Sequence, residues 1–302
     1  MQIITLTLAP AYDIHCQCDT FCAQQENLAH ILSHDAGGKG VNISRALTVF
    51  GVKNTAIVLV GRENGNPFLS AIEGEGIDNI PLTVDGRIRE NITLHQAGHK
   101  ETRISFPGFS ASPEILDKVE DLVLALAEGL PTVVTLTGRL PEGIPMEKVK
   151  GMLLRFHEHD IRFVIDSRSF TLADLIEVRP YLIKPNEEEI VAYMHREVNT
   201  MEDALASARE LHDTGITNVM ISMGAQGAVL VSDTGAYVTK APSIVPVSTI
   251  GAGDSSIAGF LAALSFGERE ENALRYAVAF GSAACLTEGT SAPRAEVIRS
   301  FL

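Results

Sequence analysis

The sequence predicts an α/β protein: a doubly wound, mostly parallel sheet flanked by helices, with a small β-sheet lid. Three observations lead to the α/β prediction. Short runs rich in Val, Ile and Thr alternate along the chain with longer segments of helical period. The runs are apolar on both faces, as strands are in a sheet that helices cover on each side. The segments 12–19 and 88–106 break this alternation with strand patterns of their own.

The strands of the main sheet are predicted at 3–8, 55–60, 132–137, 162–166, 181–184, 218–222 and 228–232. Helices are predicted near 40–50, 114–128, 146–159, 187–195, 202–214, 253–266 and 270–286. No Pro-rich or Ser-rich linker and no repeat divides the 302 residues, so we expect a single domain over 1–302. In such sheets ligands bind beyond the carboxyl ends of the strands, and the residues that follow each strand are therefore the candidates for function.

The segments 12–19 and 88–106 predict the lid. Apolar and polar residues alternate in the first of them, which is typical of a half-buried strand. One face would carry Tyr12, Ile14, Cys16 and Cys18, and the other would carry Asp13, His15, Gln17 and Asp19. The second segment predicts a hairpin that turns at Ala97–Gly98. We expect lid strands inserted at about 12–35 and 86–107 to cover a site on the main sheet; the alternative is an extension of that sheet's edge.

Composition excludes some partners. The chain carries 24 Lys+Arg against 38 Asp+Glu, a formal charge of −14, which disfavours nonspecific binding to nucleic acid or to an anionic membrane. An anionic substrate would need a local basic patch. No stretch has the character of a membrane span, and the N-terminal MQIITLTLAP lacks the basic flank of a signal peptide, so a cytoplasmic location is expected. The four cysteines form no paired C-x-x-C units and are expected to be reduced thiols.

The stretch TIGAGDSSIAGFLAAL, 249–264, predicts an anion-binding turn followed by a helix. Gly251, Ala252 and Gly253 are small enough for backbone N–H groups to converge, and the helix N-terminus adds partial positive charge. Asp254 then lies in the first helical turn, where a carboxylate can take a proton from a hydroxyl while the turn holds a transferring phosphoryl group. The alternative is an ordinary capping aspartate after a tight turn.

A second glycine-rich stretch, DAGGKGVNISRAL at 35–47, also lies at a helix entry. Its glycines permit close approach of the backbone, Lys39 offers an ammonium group, and Asn42 offers an amide that can bind a sugar diol. The spacing is not that of a Walker P-loop. A packing turn explains the stretch equally well.

Two further segments suit a nucleotide and its metal ion. KPNEEEI at 184–190 sets Asn186 and Glu189 one helical turn apart, which suits a hydrated magnesium ion, although a solvated acidic helix start is the alternative. SMGAQG at 222–227 joins two strands with glycines that leave room for phosphates and ribose, or that form an ordinary hairpin turn.

In this order the stretches resemble the ribokinase-like (PfkB) family of carbohydrate kinases, and within it the hexose-phosphate kinases. The resemblance is carried by TLAPAYD (7–13), AGGKGVN (36–42), RIRENITL (87–94), LTGRLPEGIP (136–145), YLIKPNEEE (181–189), ISMGAQGA (221–228), VSTIGAGDS (247–255) and AFGSAACLTEGT (279–290). It implies ATP and Mg²⁺ as cofactors, Asp254 as the catalytic base, and an anion hole formed by Gly251, Ala252 and Gly253. It implies sugar binding by Asp13, Gly38, Lys39, Asn42, Arg89 and Arg103. It implies nucleotide binding by Lys184, Asn186, Ser222, Gly224, Gly227 and Gly281, and metal binding by Asn186 and Glu189.

The chain departs from these kinases in two loops. Where they usually read S-G-S-L-P, this chain has TGRLP, so that Arg139 replaces a small hydroxyl residue. In DSRSFT, 166–171, Phe170 stands where the family usually has an acid. We include Arg139 among the candidate substrate-binding residues, because a guanidinium can clamp a phosphate with two hydrogen bonds. The alternative is an ion pair with a neighbouring surface acid.

The resemblance implies ATP-dependent phosphorylation of a ketohexose phosphate, with fructose 1-phosphate converted to fructose 1,6-bisphosphate as the first expectation. Tagatose 6-phosphate and fructose 6-phosphate are the alternatives within the family. A kinase of a nonphosphorylated sugar or nucleoside is a further alternative, which the cations Lys39, Arg89 and Arg103 disfavour. A noncatalytic sensor is disfavoured by the presence of Asp254 and its glycines. Because a thin lid cannot cover the apolar face of 12–18 alone, we also expect a homodimer through the lid.

Overall fold

The computed structural model describes residues 1–96, 98 and 101–302. The main sheet of this part of the chain consists of β1 (Gln2–Thr7), β4 (Thr55–Gly61), β5 (Asn79–Val84), β8 (Thr132–Thr137), β9 (Arg162–Asp166), β10 (Leu182–Ile183), β11 (Asn218–Ser222), β12 (Ala228–Ser232) and β13 (Gly235–Thr239). Their spatial order is β13-β12-β11-β10-β9-β8-β1-β4-β5. β12 runs antiparallel to both of its neighbours, and the strands from β11 to β5 pair in parallel.

Helices cover both faces of this sheet. They are α1 (Lys39–Val49), α2 (Gly65–Gly74), α3 (Ile115–Ala127), α4 (Met146–Glu158), α5 (Leu172–Val178), α6 (Glu187–Met194), α7 (Met201–His212), α8 (Ala252–Ser265), α9 (Glu270–Ala284) and α10 (Ala295–Phe301). Successive residues of β1 point to opposite faces: Ile3 belongs to the core beneath α1, α8 and α9, and Ile4 to the core beneath α3 and α4. The predicted fold class, a helix-flanked and mostly parallel sheet, is confirmed.

The segments predicted as a lid form a second, smaller sheet. Its strands are β2 (Ala11–Gln17), β3 (His30–Gly37), β6 (Arg89–His95) and β7 (Thr102–Ser105), in the order β3-β2-β6-β7. Both edge strands are antiparallel to their neighbours, as expected for hairpins. The central pair β2 and β6 is parallel, because these strands come from distant parts of the chain and each follows a strand of the main sheet. Ala97 of the predicted turn lies outside the described residues.

The alternation predicted for β2 breaks at a β-bulge between His15 and Cys16. Both residues are buried as a result. Tyr12 is only 5% exposed, since its ring packs against Phe68 and its hydroxyl donates to the carbonyl of Asn64 at 2.7 Å. The prediction that a second copy is needed to cover the apolar face of 12–18 was therefore wrong. The chain itself buries Tyr12, Cys16 and Cys18.

Other apolar side chains of the small sheet are exposed. Ile31 is 68% exposed, and Leu32, Ile104 and Phe106 are also exposed. They lie on the edge strands β3 and β7 or immediately after β7. The described helices include none that combines the length and the apolar character needed to cross a membrane.

Candidate active site

The predicted anion-binding turn lies at the N-terminus of α8. Gly251 precedes the helix with a φ of 75°, a left-handed conformation that favours glycine over residues with a side chain. The first N–H groups of a helix have no acceptors within it, and they carry partial positive charge. The turn 251–253 can therefore hold an anion, such as a phosphoryl group in transfer.

Asp254 lies in the first turn of α8 and is only 6% exposed. Burial raises the pKa of its carboxyl group to about 6, because a charged group loses hydration there. The positive charges of Lys39 and Lys184 oppose this rise in pKa, as does a hydrogen bond from Asn42, while the negative charge of Asp166 adds to it. A carboxylate with this pKa can act as a general base near neutral pH.

The glycine-rich stretch before α1 brings Asn42 to this carboxylate. Asn42 Nδ2 donates to Asp254 Oδ2 at 2.8 Å. The close approach needs a glycine at position 40, where a Cβ would lie 2.4 Å from Thr7 Oγ1 and 2.6 Å from the carbonyl oxygen of Leu6. Position 38 is glycine with a φ of 125°, and a Cβ there would lie 2.7 Å from a methyl group of Thr7. The glycines thus allow the start of α1 to pack closely against the carboxyl end of β1.

Two lysines share a buried carboxylate beside Asp254. Lys39 Nζ lies 2.9 Å from Asp166 Oδ2, and Lys184 Nζ lies 3.9 Å from the same oxygen. These charges keep the pKa of Asp166 below its ordinary value, although burial alone would raise it. Lys184 also borders the anion-binding turn, since its Nζ lies 3.0 Å from the position a Cβ would take at Gly253. Asp166 therefore lies between Lys39, which is predicted to bind the sugar, and Lys184, which is predicted to bind the nucleotide.

Asp166 was not among the residues predicted for the site. It is the last residue of β9, at the carboxyl end of a strand, which is where the fold class places ligands. That position was the signal that could have identified it.

Arg89 and Arg139 line one cavity of about 180 Å³. Its walls also include Phe106, Phe109 and Glu142. Burial, and next the positive charge of Arg139, lower the pKa of Arg89, while Asp13 raises it. Arg89 Nε is buried and has no hydrogen-bond partner among the described residues. Two guanidinium groups that repel each other beside a cavity form a site that an anion would stabilise.

Asp13 is held at the neighbouring edge of the small sheet. Its Oδ1 accepts a hydrogen bond from Asn91 Nδ2 at 2.9 Å. A Cβ at Gly37 would lie 2.4 Å from Asp13 Oδ2, so the glycine leaves room for this carboxylate. Arg103 is exposed on β7 and does not line the cavity of Arg89 and Arg139.

The residues predicted for the nucleotide and its metal lie at neighbouring strand ends. Asn186 and Ser222 pair through a parallel β-bridge. Asn186 caps α6: its side chain accepts from the Glu189 N–H at 2.9 Å, and Glu189 Oε2 accepts from the Asn186 N–H at 3.1 Å. Glu189 Oε1 accepts from Arg168 Nε at 3.2 Å. Asn186 and Glu189 therefore form a capping box, and a metal ion would have to share Glu189 with Arg168.

The predicted nucleotide glycines also have packing roles. A Cβ at Gly227 would lie 2.0 Å from the carbonyl oxygen of Thr239, and Gly224 has a φ of 50°. A Cβ at Gly281 would lie 2.3 Å from Ser256 Oγ, which shows that α9 approaches α8 closely at this point. The contacts at Gly227 and Gly281 explain why both positions are glycine whether or not a nucleotide binds there.

Comparisons with known proteins agree with this geometry. The model of the pfkB family of carbohydrate kinases matches residues 6–297. The 1-phosphofructokinase of Escherichia coli strain K12 is 32% identical over 94% of this chain and 90% of its own length. The ATP-dependent 6-phosphofructokinase isozyme 2 of the same strain is 28% identical over 96% of this chain and 94% of its own. A crystal structure of phosphofructokinase-2 from Escherichia coli, in complex with substrates and products, has a TM-score of 0.92 at 27% identity and covers 100% of this chain and 98% of its own.

Proposed function

Because the chain belongs to the pfkB family of carbohydrate kinases, we propose that it transfers the γ-phosphoryl group of ATP to fructose 1-phosphate and forms fructose 1,6-bisphosphate. The resemblance predicted from the sequence is confirmed, and relatives named 1-phosphofructokinase match nearly the full chain. The chain is accordingly a sugar-phosphate kinase.

The pair of guanidinium groups, Arg89 and Arg139, is the observation that carries the choice of a phosphorylated acceptor. A neutral sugar gives no reason to place the half-buried Arg89 beside a second cation. Burial is the main cause of the lowered pKa of Arg89, and the positive charge of Arg139 lowers that pKa further, which indicates repulsion between the two groups. A phosphate group would remove that repulsion and would accept hydrogen bonds from both side chains. Arg139 then belongs to the substrate site and is not a surface ion pair.

The reaction follows from the position of Asp254. Its Oδ2 is occupied by the donor Asn42 Nδ2, which leaves Oδ1 to accept the proton of the sugar hydroxyl as that hydroxyl attacks phosphorus. The turn 251–253 would receive the charge that develops on the transferred group, and Lys184 borders the same turn. Lys39 remains beside Asp254 through its ion pair with Asp166. The nucleotide would lie towards Lys184, Asn186 and Ser222, on the other side of Asp254 from the sugar.

A magnesium ion would be held at Glu189. Among the described residues no group of three or more His, Cys, Asp and Glu side chains could hold a metal ion. That finding fits Mg²⁺, which keeps most of its water and is bound by one or two carboxylates together with substrate phosphates. Asn186 would orient Glu189 through the capping box, and the ion would supply charge neutralisation on the phosphates.

Fructose 6-phosphate is the second candidate acceptor. The 6-phosphofructokinase isozyme 2 of Escherichia coli matches this chain over nearly its full length. The cavity beside Arg89 and Arg139 would hold the phosphate of either ketohexose phosphate, with the remaining terminal hydroxyl directed to Asp254.

Initial rates of ADP release with a panel of acceptors test the proposal. The panel contains fructose 1-phosphate, fructose 6-phosphate, tagatose 6-phosphate, free fructose, ribose and a nucleoside. We expect fructose 1-phosphate to give the highest kcat/KM and every ketohexose phosphate to exceed free fructose. Ribose or a nucleoside above every phosphosugar would contradict the proposal and would identify a general sugar or nucleoside kinase.

We also propose a homodimer through the exposed apolar residues of the small sheet. Ile31 and Leu32 on β3 and Ile104 on β7 are exposed in the single chain, and a second copy packed there would cover them. Sedimentation velocity at micromolar concentration should give a dimer, and Ile31→Asp together with Leu32→Asp should give a monomer. A monomeric unmodified protein would rule this assembly out.

The cytoplasm is the proposed location, since the four cysteines are free thiols.

A further inference from the structure

Arg45 is a buried cation that lies one helical turn after Asn42 on α1. All of its donor groups are used. Nε donates to Glu75 Oε2 at 2.5 Å, and Nη2 donates to Glu75 Oε1 at 3.1 Å and to the carbonyl of Ala36 at 2.6 Å. Nη1 donates to Asn42 Oδ1 at 2.8 Å and to the carbonyl of Thr290 at 3.5 Å. The guanidinium is therefore fixed from four directions.

The contact between Arg45 and Asn42 decides which way the amide points. A guanidinium has N–H donors and no acceptor, so the amide oxygen of Asn42 must face Arg45. The NH₂ group of Asn42 must then face the opposite way, towards Asp254 Oδ2 at 2.8 Å. A partly buried chain of hydrogen bonds thus runs from Arg45 through Asn42 to Asp254.

We propose that Arg45 is a positioning residue for phosphoryl transfer: by holding Asn42 Oδ1, it keeps the amide donating to Asp254 Oδ2 and leaves Asp254 Oδ1 for the sugar hydroxyl. This inference rests on the proposed function. It adds to the site a residue that has no contact with Asp254 itself and that the sequence did not single out.

Loss of Arg45 should favour the protonated form of Asp254. Without that donor the Asn42 amide can turn its oxygen towards Asp254, where it would repel the carboxylate and accept a hydrogen bond from the protonated acid. Both effects favour the protonated form. The other charged groups facing Asp254 are Lys39 on α1, Lys184 after β10 and Asp166 at the end of β9. None of them is hydrogen-bonded to Arg45, so their contribution stays in place.

The test compares Arg45→Met and Arg45→Gln with Glu75→Gln in the pH profile of kcat from pH 5 to 8. Met cannot donate a hydrogen bond and Gln need not, so we expect the acidic midpoint to rise by about half a pH unit or more and kcat at pH 6 to fall about twofold or more. The KM for ATP should be unchanged. Glu75→Gln breaks the ion pair but leaves the contact of Arg45 with Asn42, and it should lower thermal stability without moving the midpoint.

Two results would overturn the inference. A folded Arg45→Met or Arg45→Gln enzyme with the midpoint of the unmodified protein would show that Arg45 only stabilises the fold. An equal shift in Glu75→Gln would assign the effect to general packing around Arg45. Failure of the proposed function looks different: the unmodified enzyme would phosphorylate no ketohexose phosphate, or Asp254→Asn would keep its activity.

Discussion

Lys39 Nζ lies 2.9 Å from Asp166 Oδ2, so the cation of the glycine-rich stretch is held by a carboxylate from another strand end. Asp166 and Lys39 act on Asp254 with opposite sign. The negative charge of Asp166 raises the pKa of Asp254, and the positive charge of Lys39 lowers it. The two substitutions that remove these charges should therefore move the activity profile in opposite directions.

Asp166→Asn should shift the acidic limb of the kcat profile to lower pH, since the base then loses its proton more readily. Lys39→Met should shift the limb to higher pH, above the value of about 6 given by Asp254 in the unmodified chain. The measurement is kcat at saturating substrates from pH 4.5 to 8. Shifts in the same direction for both variants would refute this arrangement of charges.

Asp254→Asn should reduce kcat by about 10²–10⁴-fold, the loss typical of a general base, while KM for both substrates stays near normal. The amide keeps the shape of the side chain and still accepts a hydrogen bond from Asn42. Steady-state kinetics with both substrates varied provide the measurement. A variant within threefold of the unmodified kcat would remove Asp254 from the role of base.

The same substitution should stabilise the fold, and the gain should depend on pH. The pKa of Asp254 is raised from 3.8 to about 6, so the folded protein binds this proton more tightly than the unfolded chain does. Stability from this group is therefore full below about pH 3.8, still largely present at pH 4, and lost as the pH rises through about 6. Asp254→Asn should raise the free energy of unfolding by about 2–3 kcal/mol more at pH 7.5 than at pH 4. Urea unfolding at both values tests this, and an equal gain at both would contradict it.

Much of the site could be predicted because short motifs place their residues locally. The turn at 251–253 and Asp254 are adjacent in sequence, and the glycines before α1 lie in one stretch with Asn42. Local patterns could not show the cavity of Arg89 and Arg139. Arg89 is the first residue of β6 in the small sheet, and Arg139 follows β8 of the main sheet, so only the fold brings them together.

The burial of β2 was mispredicted for a related reason. The bulge between His15 and Cys16 arises where β2 pairs with β3, and strict alternation within β2 gives no sign of it. Arg45 was missed because an arginine on a helix is usually solvated, and only the fold brings Glu75, Ala36 and Thr290 around it. The strand β5 and the helix α2 were missed as well, since their exposed faces interrupt the apolar pattern.

Gly40→Ala should destabilise the protein by about 1–3 kcal/mol, because a Cβ there would overlap Thr7 and the carbonyl of Leu6. It should also lower kcat, since the start of α1 would move away from Asp254. Gly74→Ala is the matched control: no atom lies within 4 Å of the added Cβ, and alanine favours the helix by about 0.5–1 kcal/mol. Thermal unfolding and kcat measure both effects. Equal stability of the two variants would contradict the close packing of the start of α1 against Leu6 and Thr7 of β1.

We expect Arg89 and Arg139 to hold the phosphate of the sugar. The most direct test is kcat/KM for fructose 1-phosphate in Arg89→Ala, in Arg139→Ser and in the double variant. Arg62→Ala, which removes an exposed guanidinium paired with Asp85, is the control. We predict a loss of about 2–4 kcal/mol in kcat/KM for Arg89→Ala, a loss for Arg139→Ser, and a combined loss that differs from their sum because the two groups share one anion. The KM for ATP and the slow turnover of free fructose should be unchanged. If the variants lose activity equally with fructose 1-phosphate and with free fructose, or lose none, the phosphate does not bind at this pair and the claim fails.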